Sequence, residues 1–593
     1  MSDEMPLLIN GLRVEVVGRE ITGRPVPGRP RRSYWPYLRG LPSLALASVL
    51  IIPIAVTTVG AFRTKHGVGL GNFGVLTNAG AGRALLHSLI WVAVAVALIA
   101  AGFGIAMLGH RVSGLWRILQ PTLVVPFAIS GLVAGAAFRI IFDPAPERGT
   151  VTAVVTAVFH SSPVWLSPGF IWVVLVSAFC WGWLGYVVSL FRAGLEAIPD
   201  DLARAVKVDG LRGWRRLRVV ELPILLPIFG IIGLTLVVAA VRLFDLILIT
   251  APGAMQADAD VLALHWWRTT NAGEDSGRSA ALALVLFAVV AVLAVLGMRG
   301  LRRHWAMPES AIPPSAQPSR PLPSRNRKVL GLAVGVPVSV FCAFPVLVLL
   351  LTALHEPAAA GLHGWWSSHG LGLSSFGAAV NAGLLRALVS NLLIAVVATM
   401  LVLAVAVRTA FLLAWGGLPQ RLTRTVVIAC VVLAVTPVQM YAAPLREAFA
   451  YSGLAGLRIS LVLVHAAAGL PFAILLLRVA FASAPASLVA EALQGQARRS
   501  AVITRVRQTC GPALTAVAVL QFVLAWNDFT VGFLIGGPGA TPLSLVLWGE
   551  ARQFATSAGT VAAAAVVSSI VPVVLLLAYW PTVVRGLTVG TRP

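Results

Sequence analysis

Two aspartates, Asp245 and Asp528, each lie near the end of a long apolar stretch. An ionisable side chain within a membrane-spanning helix is costly and often marks a pathway for a solute or an ion. Near the membrane surface this cost falls, so a structural hydrogen bond is the alternative role for both carboxylates. Our candidates for a pathway or a gate are Asp245, Trp526, Asn527 and Asp528.

The chain has no motif for binding the phosphates of ATP. A phosphate-binding loop needs a lysine directly after a glycine, and none of Lys65, Lys207 and Lys328 follows one. No paired-histidine metal motif and no nucleophile elbow is present either. We therefore expect no catalytic residues, no metal and no cofactor in this chain. Its energy must come from another chain or from an ion gradient.

A polar segment between the fourth and fifth apolar stretches is unusual. Pro199 can open a helix at its first turn, and a short apolar stripe follows at helical spacing. An Asp-Gly pair then gives a stop and turn signal. The segment predicts a helix–turn–helix on the membrane surface, with an ordinary interfacial helix as the alternative. Its main residues are Pro199, Leu202, Ala205, Asp209, Gly210, Leu222 and Pro223.

This segment resembles the coupling motif of ABC importer permeases, which is Glu-Ala-Ala, three residues, Gly, nine residues, Ile, one residue and Leu-Pro. Here residues 204–206 are Arg-Ala-Val, and Gly210, Val220 and Leu222-Pro223 follow with that spacing. The resemblance implies that the segment docks on an ATP-binding subunit, whose closure moves the permease. The glutamate of the motif is replaced by Arg204.

A looser copy of this segment begins at Pro485. Glu491, Ala492 and Leu493 can fill the Glu-Ala-Ala positions, which puts Ala497 at the glycine; alternatively Gly495 is the glycine and the frame shifts. Both alignments remain open. We expect the first segment, which keeps the spacing, to be the stricter coupling site. The coupling residues of the second are Pro485, Glu491, Ala492 and Gly495.

Three further segments resemble the two membrane subunits of maltose-type importers. Residues 244–253 are similar to the end of the fifth span of one subunit; 526–529 (Trp-Asn-Asp-Phe) and 585–590 are similar to its partner. The resemblance implies a fused permease for a sugar or oligosaccharide, two cytoplasmic ATP-binding subunits that carry ATP and Mg, and an extracellular solute-binding protein. Residues 536–543 also resemble permeases for polyamine, iron or thiamine, and these substrates are the alternative.

The composition indicates a chain that lies in lipid. Hydrophobic residues make up 58% and charged residues 11%, against about 45–50% and about 25% in soluble domains. The net charge is +23, and the basic residues lie in short loops between apolar stretches, as in membrane proteins. We expect the lipid bilayer as a partner, no nucleic acid, and a location in the plasma membrane.

The sequence predicts an all-α polytopic membrane protein with about twelve transmembrane helices, since a span needs about 20 apolar residues. Arginine-rich loops share one side of the membrane, so both termini are expected in the cytoplasm. The predicted spans are roughly 42–61, 85–108, 117–141, 168–191, 223–250, 279–298, 329–353, 386–407, 425–443, 459–480, 512–536 and 559–582.

The chain consists of two six-helix halves that repeat in the same orientation. The pattern of Phe73-Gly74, 78–80 and 83–85 recurs 303 residues later (376 − 73) from Phe376. A parallel repeat favours a pathway at the interface of the halves. The predicted domains are a cytoplasmic tail (1–40), a first permease domain (41–298), a cytoplasmic linker rich in Pro, Ser and Arg (299–328) and a second permease domain (329–593).

Two other functional classes are alternatives to an importer permease. An ion-coupled secondary transporter predicts carboxylates or histidines at mid-membrane, and the apolar stretches are nearly free of them. A membrane-embedded enzyme predicts an acidic cluster outside, and the weak candidate for it is more simply a solvated loop. That candidate consists of Asp258, Asp260, Glu274 and Asp275. We therefore expect a transport subunit rather than an enzyme.

Overall fold

The computed structural model is almost entirely helical, which confirms the all-α class. Three short antiparallel strands, β1 (Leu7–Ile9), β2 (Leu12–Val17) and β3 (Glu20–Pro25), precede the helices. A hairpin of β4 (Arg63–Thr64) and β5 (Gly67–Val68) follows the first helix. The structure describes residues 7–9, 12–17, 20–25, 40–110, 113–196, 198, 213–273, 276–302, 325–416, 418–484, 499–537, 539–540, 542–552 and 554–588.

Eleven helices lie in the described residues of the first half. A π-helical turn (Leu217–Glu221) joins α7 to α8, and 3₁₀ turns lie at Gly71–Thr77 and Gly253–Met255. The helices are α1 (Leu41–Phe62), α2 (Ala79–His110), α3 (Ser113–Ala128), α4 (Gly131–Ile141), α5 (Thr150–Phe159), α6 (Ile171–Glu196), α7 (Gly213–Arg216), α8 (Leu222–Val241), α9 (Asp245–Thr250), α10 (Leu262–Asn271) and α11 (Ser276–Arg302).

The second half has eleven more helices in the described residues, with a 3₁₀ turn at Val438–Met440. These helices are α12 (Arg325–Ala353), α13 (Pro357–Leu362), α14 (Ser374–Asn381), α15 (Leu384–Trp415), α16 (Gln420–Val435), α17 (Ala442–Tyr451), α18 (Arg458–Ala482), α19 (Arg499–Asn527), α20 (Thr530–Ile535), α21 (Leu543–Arg552) and α22 (Phe554–Leu587).

Ten helical segments of the described chain are long and apolar enough to cross a membrane, and the bent pair α3–α4 makes up to eleven. The shorter α16 occupies the position of the remaining predicted span. The protein is therefore a multi-pass membrane protein, as expected from the length of its apolar stretches.

The predicted span 117–141 is wrong as a single straight helix, because the chain bends by 108° between α3 and α4. Two prolines inside α3, Pro121 and Pro126, lack the amide that a continuous helix uses. Ser130 then caps α4: its Oγ accepts a hydrogen bond of 3.3 Å from the amide of Val133.

Three other predicted spans are also interrupted. Residues 223–250 divide at Val241, where α8 ends, and 512–536 divide at Asn527, where α19 ends. The helix predicted at 425–443 ends at Val435, because the residue before Pro437 disfavours helical backbone. Irregular backbone at membrane depth is tolerated where protein surrounds it. The interruptions therefore place short helices and loops between the two halves.

The first long helix of each half packs against the other half. The helix α1 contacts α18 and α15, and α12 contacts α3, α4 and α2. Side-chain hydrogen bonds stabilise this exchange of first helices between the halves. The Trp181 indole on α6 donates a hydrogen bond of 2.9 Å to the carbonyl of Cys342 on α12. The hydroxyls of Ser43 on α1 and Thr409 on α15 also form a hydrogen bond. The exchange joins the halves into one helical body.

Candidate functional site

Most of the predicted coupling residues lie outside the described part of the chain. These are Pro199, Leu202, Ala205, Asp209, Gly210, Pro485, Glu491, Ala492 and Gly495. Of the coupling residues, the structure describes Leu222 and Pro223, which begin α8. Their roles therefore remain predictions.

The residues that flank the first coupling segment are tightly held. Before it, Arg192 on α6 pairs with Glu196 at 3.0 Å, and after it Arg216 pairs with Glu221 at 2.8 Å. Between Arg192 and Glu196, α6 approaches α8 so closely at Gly194 that a Cβ there would lie 2.1 Å from Ile228 Cδ1. This end of α6 is therefore in direct contact with α8.

At the opposite end of α8, the two repeats meet through equivalent phenylalanines. Phe244 directly precedes the short helix α9, and Phe529 directly precedes α20, its counterpart in the second half. Both side chains are almost completely buried, and their rings stack with centroids 6.3 Å apart. The meeting of equivalent residues identifies the local symmetry axis between the halves.

A second equivalent pair surrounds these rings. Trp267 and Trp548 are each the sixth residue of their helices, α10 and α21. Trp267 lies 6.2 Å from Phe244, and Trp548 lies 6.2 Å from Phe529, measured between ring centroids. Phe533 contacts both tryptophans at 5.7 and 4.9 Å. We call Phe244, Trp267, Phe529, Phe533 and Trp548 the interface cluster.

The interface cluster closes the space between the halves with apolar rings. Edge and offset contacts of this kind contribute about 0.5–1.5 kcal/mol per pair beyond the buried area. Flat aromatic faces can also stack on the apolar face of a ring-shaped solute. The arrangement can thus act both as a barrier and as a contact surface.

Asp245, the first residue of α9, lies beside the cluster. Its Oδ1 accepts a hydrogen bond of 2.9 Å from the amide of Leu246. Its Oδ2 lies against the first residue of α4: a Cβ added to Gly131 would be 2.7 Å from that oxygen. The bend between α3 and α4 therefore brings the start of α4 to this carboxylate, and glycine makes the approach possible.

Two of the other three predicted residues, Trp526 and Asn527, lie at the end of α19 and donate side-chain hydrogen bonds to backbone carbonyls of other helices. The Trp526 indole donates to the Ser568 carbonyl at 2.9 Å within the second half. The Asn527 side chain crosses to the first half and donates to the Ala128 carbonyl at 2.8 Å. Trp526 thus holds α19 to α22, whereas Asn527 connects the two repeats.

Asp528 caps α20, because its Oδ2 accepts hydrogen bonds from the amides of Val531 and Gly532 at 2.9 and 3.2 Å. The same oxygen lies 3.9 Å from His465 Nε2. Asp528 also interacts electrostatically with Arg242 and with Asp245. The four predicted residues thus gather near the interface, and each of them makes a side-chain hydrogen bond within or between the halves.

Two arginines missed in the sequence lie at equivalent positions near the interface cluster. Arg139 and Arg446 each follow the last residue of the preceding helix, α3 or α16, by eleven residues. Arg139 reaches α21 of the second half, where its Nη1 lies 3.5 Å from the Ala551 carbonyl. Arg446 lines a pocket of about 190 Å³ together with α10 of the first half.

The acidic loop has a different character from that expected. Asp260 is not solvated but buried, with its Oδ2 2.8 Å from His265 Nδ1 and 3.2 Å from Arg268 Nη1. Asp258 lies nearby in the chain, and Glu274 and Asp275 lie outside the described residues. These contacts fix the start of α10, which carries Trp267 to the interface cluster.

No protein-family model matches the chain. Among curated relatives, the alpha-glucoside transport system permease protein AglF of Rhizobium meliloti is 27% identical over 44% of this chain and 80% of its own length. The probable starch degradation products transport system permease protein AmyD of Thermoanaerobacterium thermosulfurigenes is 26% identical over 44% and 91%. The sn-glycerol-3-phosphate transport system permease protein UgpA of Rhizobium meliloti is 30% identical over 43% and 90%.

A solved bacterial ABC transporter involved in the import of alginate aligns with a TM-score of 0.40 and 18% identity, over 46% of this chain and 96% of that chain. The ten long apolar helices of the described chain define a polytopic membrane protein. The relative at 30% identity is matched over nine-tenths of its length, and the chain belongs to its family, the ABC transporter permeases.

Proposed function

We propose that this chain forms the translocation pathway of a binding-protein-dependent importer for a sugar or oligosaccharide. In this proposal residues 41–298 and 329–593 are two fused permease domains, and 299–328 is a cytoplasmic linker. The curated relatives include permeases for alpha-glucosides and for starch degradation products. Each of them is matched by less than half of this chain, as expected if the chain holds two such units.

The meeting of Phe244 and Phe529 is the observation that carries this proposal. Equivalent residues that stack between the repeats support an arrangement of the two domains around one central line, along which the solute would pass. The interface cluster blocks that line in this state. Opening requires the two halves to move apart, and the exchanged helices α1 and α12 can transmit such a movement.

The energy for opening comes from partner chains in this account. Two cytoplasmic ATP-binding subunits carry ATP and Mg, and dock on the segments around Gly210 and Gly495. The tight approach of α6 to α8 at Gly194 supports transmission from the first segment. An extracellular solute-binding protein delivers the solute at the other face, and both termini of the chain lie in the cytoplasm.

Reconstitution tests this function. The purified chain alone should hydrolyse no ATP, while proteoliposomes with the ATP-binding subunits, the solute-binding protein, ATP and Mg should take up labelled sugar. Omitting either partner should abolish most of the uptake. Robust ATP hydrolysis by the isolated chain, or full-rate uptake without the solute-binding protein, would overturn the proposal.

A further inference from the structure

The pocket beside Arg446 extends the interface cluster on one side. Trp267 and Phe533 belong both to the cluster and to the wall of this pocket. Helix α10 of the first half also contributes Thr270 and Asn271, and α17 of the second half contributes Arg446. The pocket therefore lies between the halves and opens beside the line along which the solute passes.

Among its described lining residues, the pocket carries a positive charge and no negative charge. Arg446 is exposed and makes no hydrogen bond or ion pair to any other residue that the structure describes. None of the described residues that line the pocket is acidic. A guanidinium presents five donors in a planar fork that suits a carboxylate or a phosphate. The free arginine therefore favours an anionic group in the pocket.

The equivalent arginine in the first half, Arg139, has a protein partner. Arg139 extends across the interface to a backbone carbonyl of α21, Ala551. At the equivalent place beside α10, Arg446 instead faces a cavity of about 190 Å³. The two repeats therefore differ, because one arginine contacts protein across the interface and the other faces a cavity.

The remaining walls suit a hydroxylated ring. The half-buried faces of Trp267 and Phe533 offer flat apolar surface. The Asn271 amide uses its nitrogen to donate to the Trp267 carbonyl at 3.0 Å, which leaves its side-chain oxygen to accept from a hydroxyl. The cavity is smaller than the roughly 300–1,000 Å³ of pockets for drug-sized ligands, so it holds one ring rather than a chain.

We propose that this pocket is a subsite for a sugar ring that carries an anionic group, with the carboxylate or phosphate on Arg446 and the ring against Trp267 and Phe533. The inference rests on the proposed function, because it names the chemical class of solute for that pathway. With this subsite, the membrane domain itself would bind anionic sugars more tightly than neutral ones.

Ligand binding to the full chain in phosphatidylcholine nanodiscs tests the subsite. Glucose, glucuronate and glucose 6-phosphate are titrated separately by ligand-observed NMR, since they share a ring and differ at one carbon. At least one anionic probe should bind about tenfold more tightly than glucose, because charge-assisted hydrogen bonds are the stronger kind. The anion that binds more tightly identifies the group as a carboxylate or a phosphate.

Variants distinguish an effect of Arg446 in the pocket from the effect of the protein's overall positive charge. Arg446→Gln should abolish the preference for the anion, and Arg446→Lys should retain part of it. The matched control Arg386→Gln removes one exposed positive charge at the start of α15, outside the pocket, and should keep the preference. Elution volume and thermal unfolding confirm that each variant is folded.

Equal affinity for the three probes, or no binding of any, would overturn the subsite. So would a preference that survives Arg446→Gln or is equally lost in Arg386→Gln. Co-purification with the ATP-binding subunits is measured on the same preparations. Intact co-purification without charge preference would remove the subsite alone, whereas absent co-purification would count against the proposed function.

Discussion

Asn527 of the second half donates a hydrogen bond of 2.8 Å to the carbonyl of Ala128 of the first half. Ala128 is the last residue of α3, where the bend leaves carbonyls without partners in the helix. One amide therefore satisfies a backbone group at the break and joins the two repeats beside the interface cluster. The integrity of the interface depends on such contacts, and they can be removed one at a time.

Replacing Asn527 with leucine should destabilise the chain by about 1–3 kcal/mol, because the buried Ala128 carbonyl then lacks a donor. The measurement is thermal unfolding of the detergent-purified protein. Asn391→Leu is the matched comparison, since Asn391 makes a similar bond of 2.9 Å to the Trp526 carbonyl within the second half. When the halves are co-expressed as separate chains, Asn527→Leu should weaken their co-purification more than Asn391→Leu. Equal effects would contradict a bridging role.

Removing rings from the interface cluster should open the barrier. Phe529→Ala or Phe244→Ala leaves a gap at the symmetry axis, so proteoliposomes without any ATP-binding subunit should leak a small labelled sugar. Phe159→Ala is the control, because Phe159 is 73% exposed at the end of α5. A cluster variant as tight as the control would show that the barrier lies elsewhere.

Gly185 on α6 should not tolerate a methyl group. A Cβ there would lie 1.5 Å from the carbonyl oxygen of Leu123 on α3, and backbone cannot move aside as a side chain can. Gly185→Ala should cost about 1–3 kcal/mol, as in other overpacked contacts. Gly182→Ala, on the same helix with open space around its Cβ, should leave the unfolding temperature unchanged. Equal unfolding temperatures of the two variants would contradict a tight contact at Gly185.

Much of the architecture was predictable because apolar length is a strong signal. The positions of the long helices and the repeat follow from runs of about 20 apolar residues and from the recurrence at Phe376. The bend at Ser130 and the ends of α8 and α19 were missed, since a buried break looks as apolar as a span. The hydrogen-bond partners of the backbone at these breaks become visible only when the packing against the other half is known.

The site was predicted in part. Asp245, Trp526, Asn527 and Asp528 do gather near the interface, but the rings of Phe244 and Phe529 form its centre. Alignment of the short helices after the fifth span of each half could have identified these rings. Arg446 carries no signal of its own, because an arginine near a helix end has many ordinary roles, and only the cavity distinguishes it.

The coupling segments lead to a prediction that rests on sequence. Glycine can adopt positive φ without a Cβ clash, so a bulky residue at the turn of the docking helix would strain it by about 1–3 kcal/mol if φ is positive. Gly210→Val should leave the chain inserted in the membrane but weaken ATPase association and abolish uptake. Gly495→Val should be milder, because the second segment departs from the motif. Normal uptake with Gly210→Val, or greater damage from Gly495→Val, would contradict this order.

In the proposed function, one chain supplies both permease domains around a single pathway. Native mass spectrometry of the complex purified with its ATP-binding subunits measures this directly. We expect one copy of this chain with two ATP-binding subunits. Two copies of the chain in the complex, or a chain that associates with no ATP-binding subunit, would contradict it.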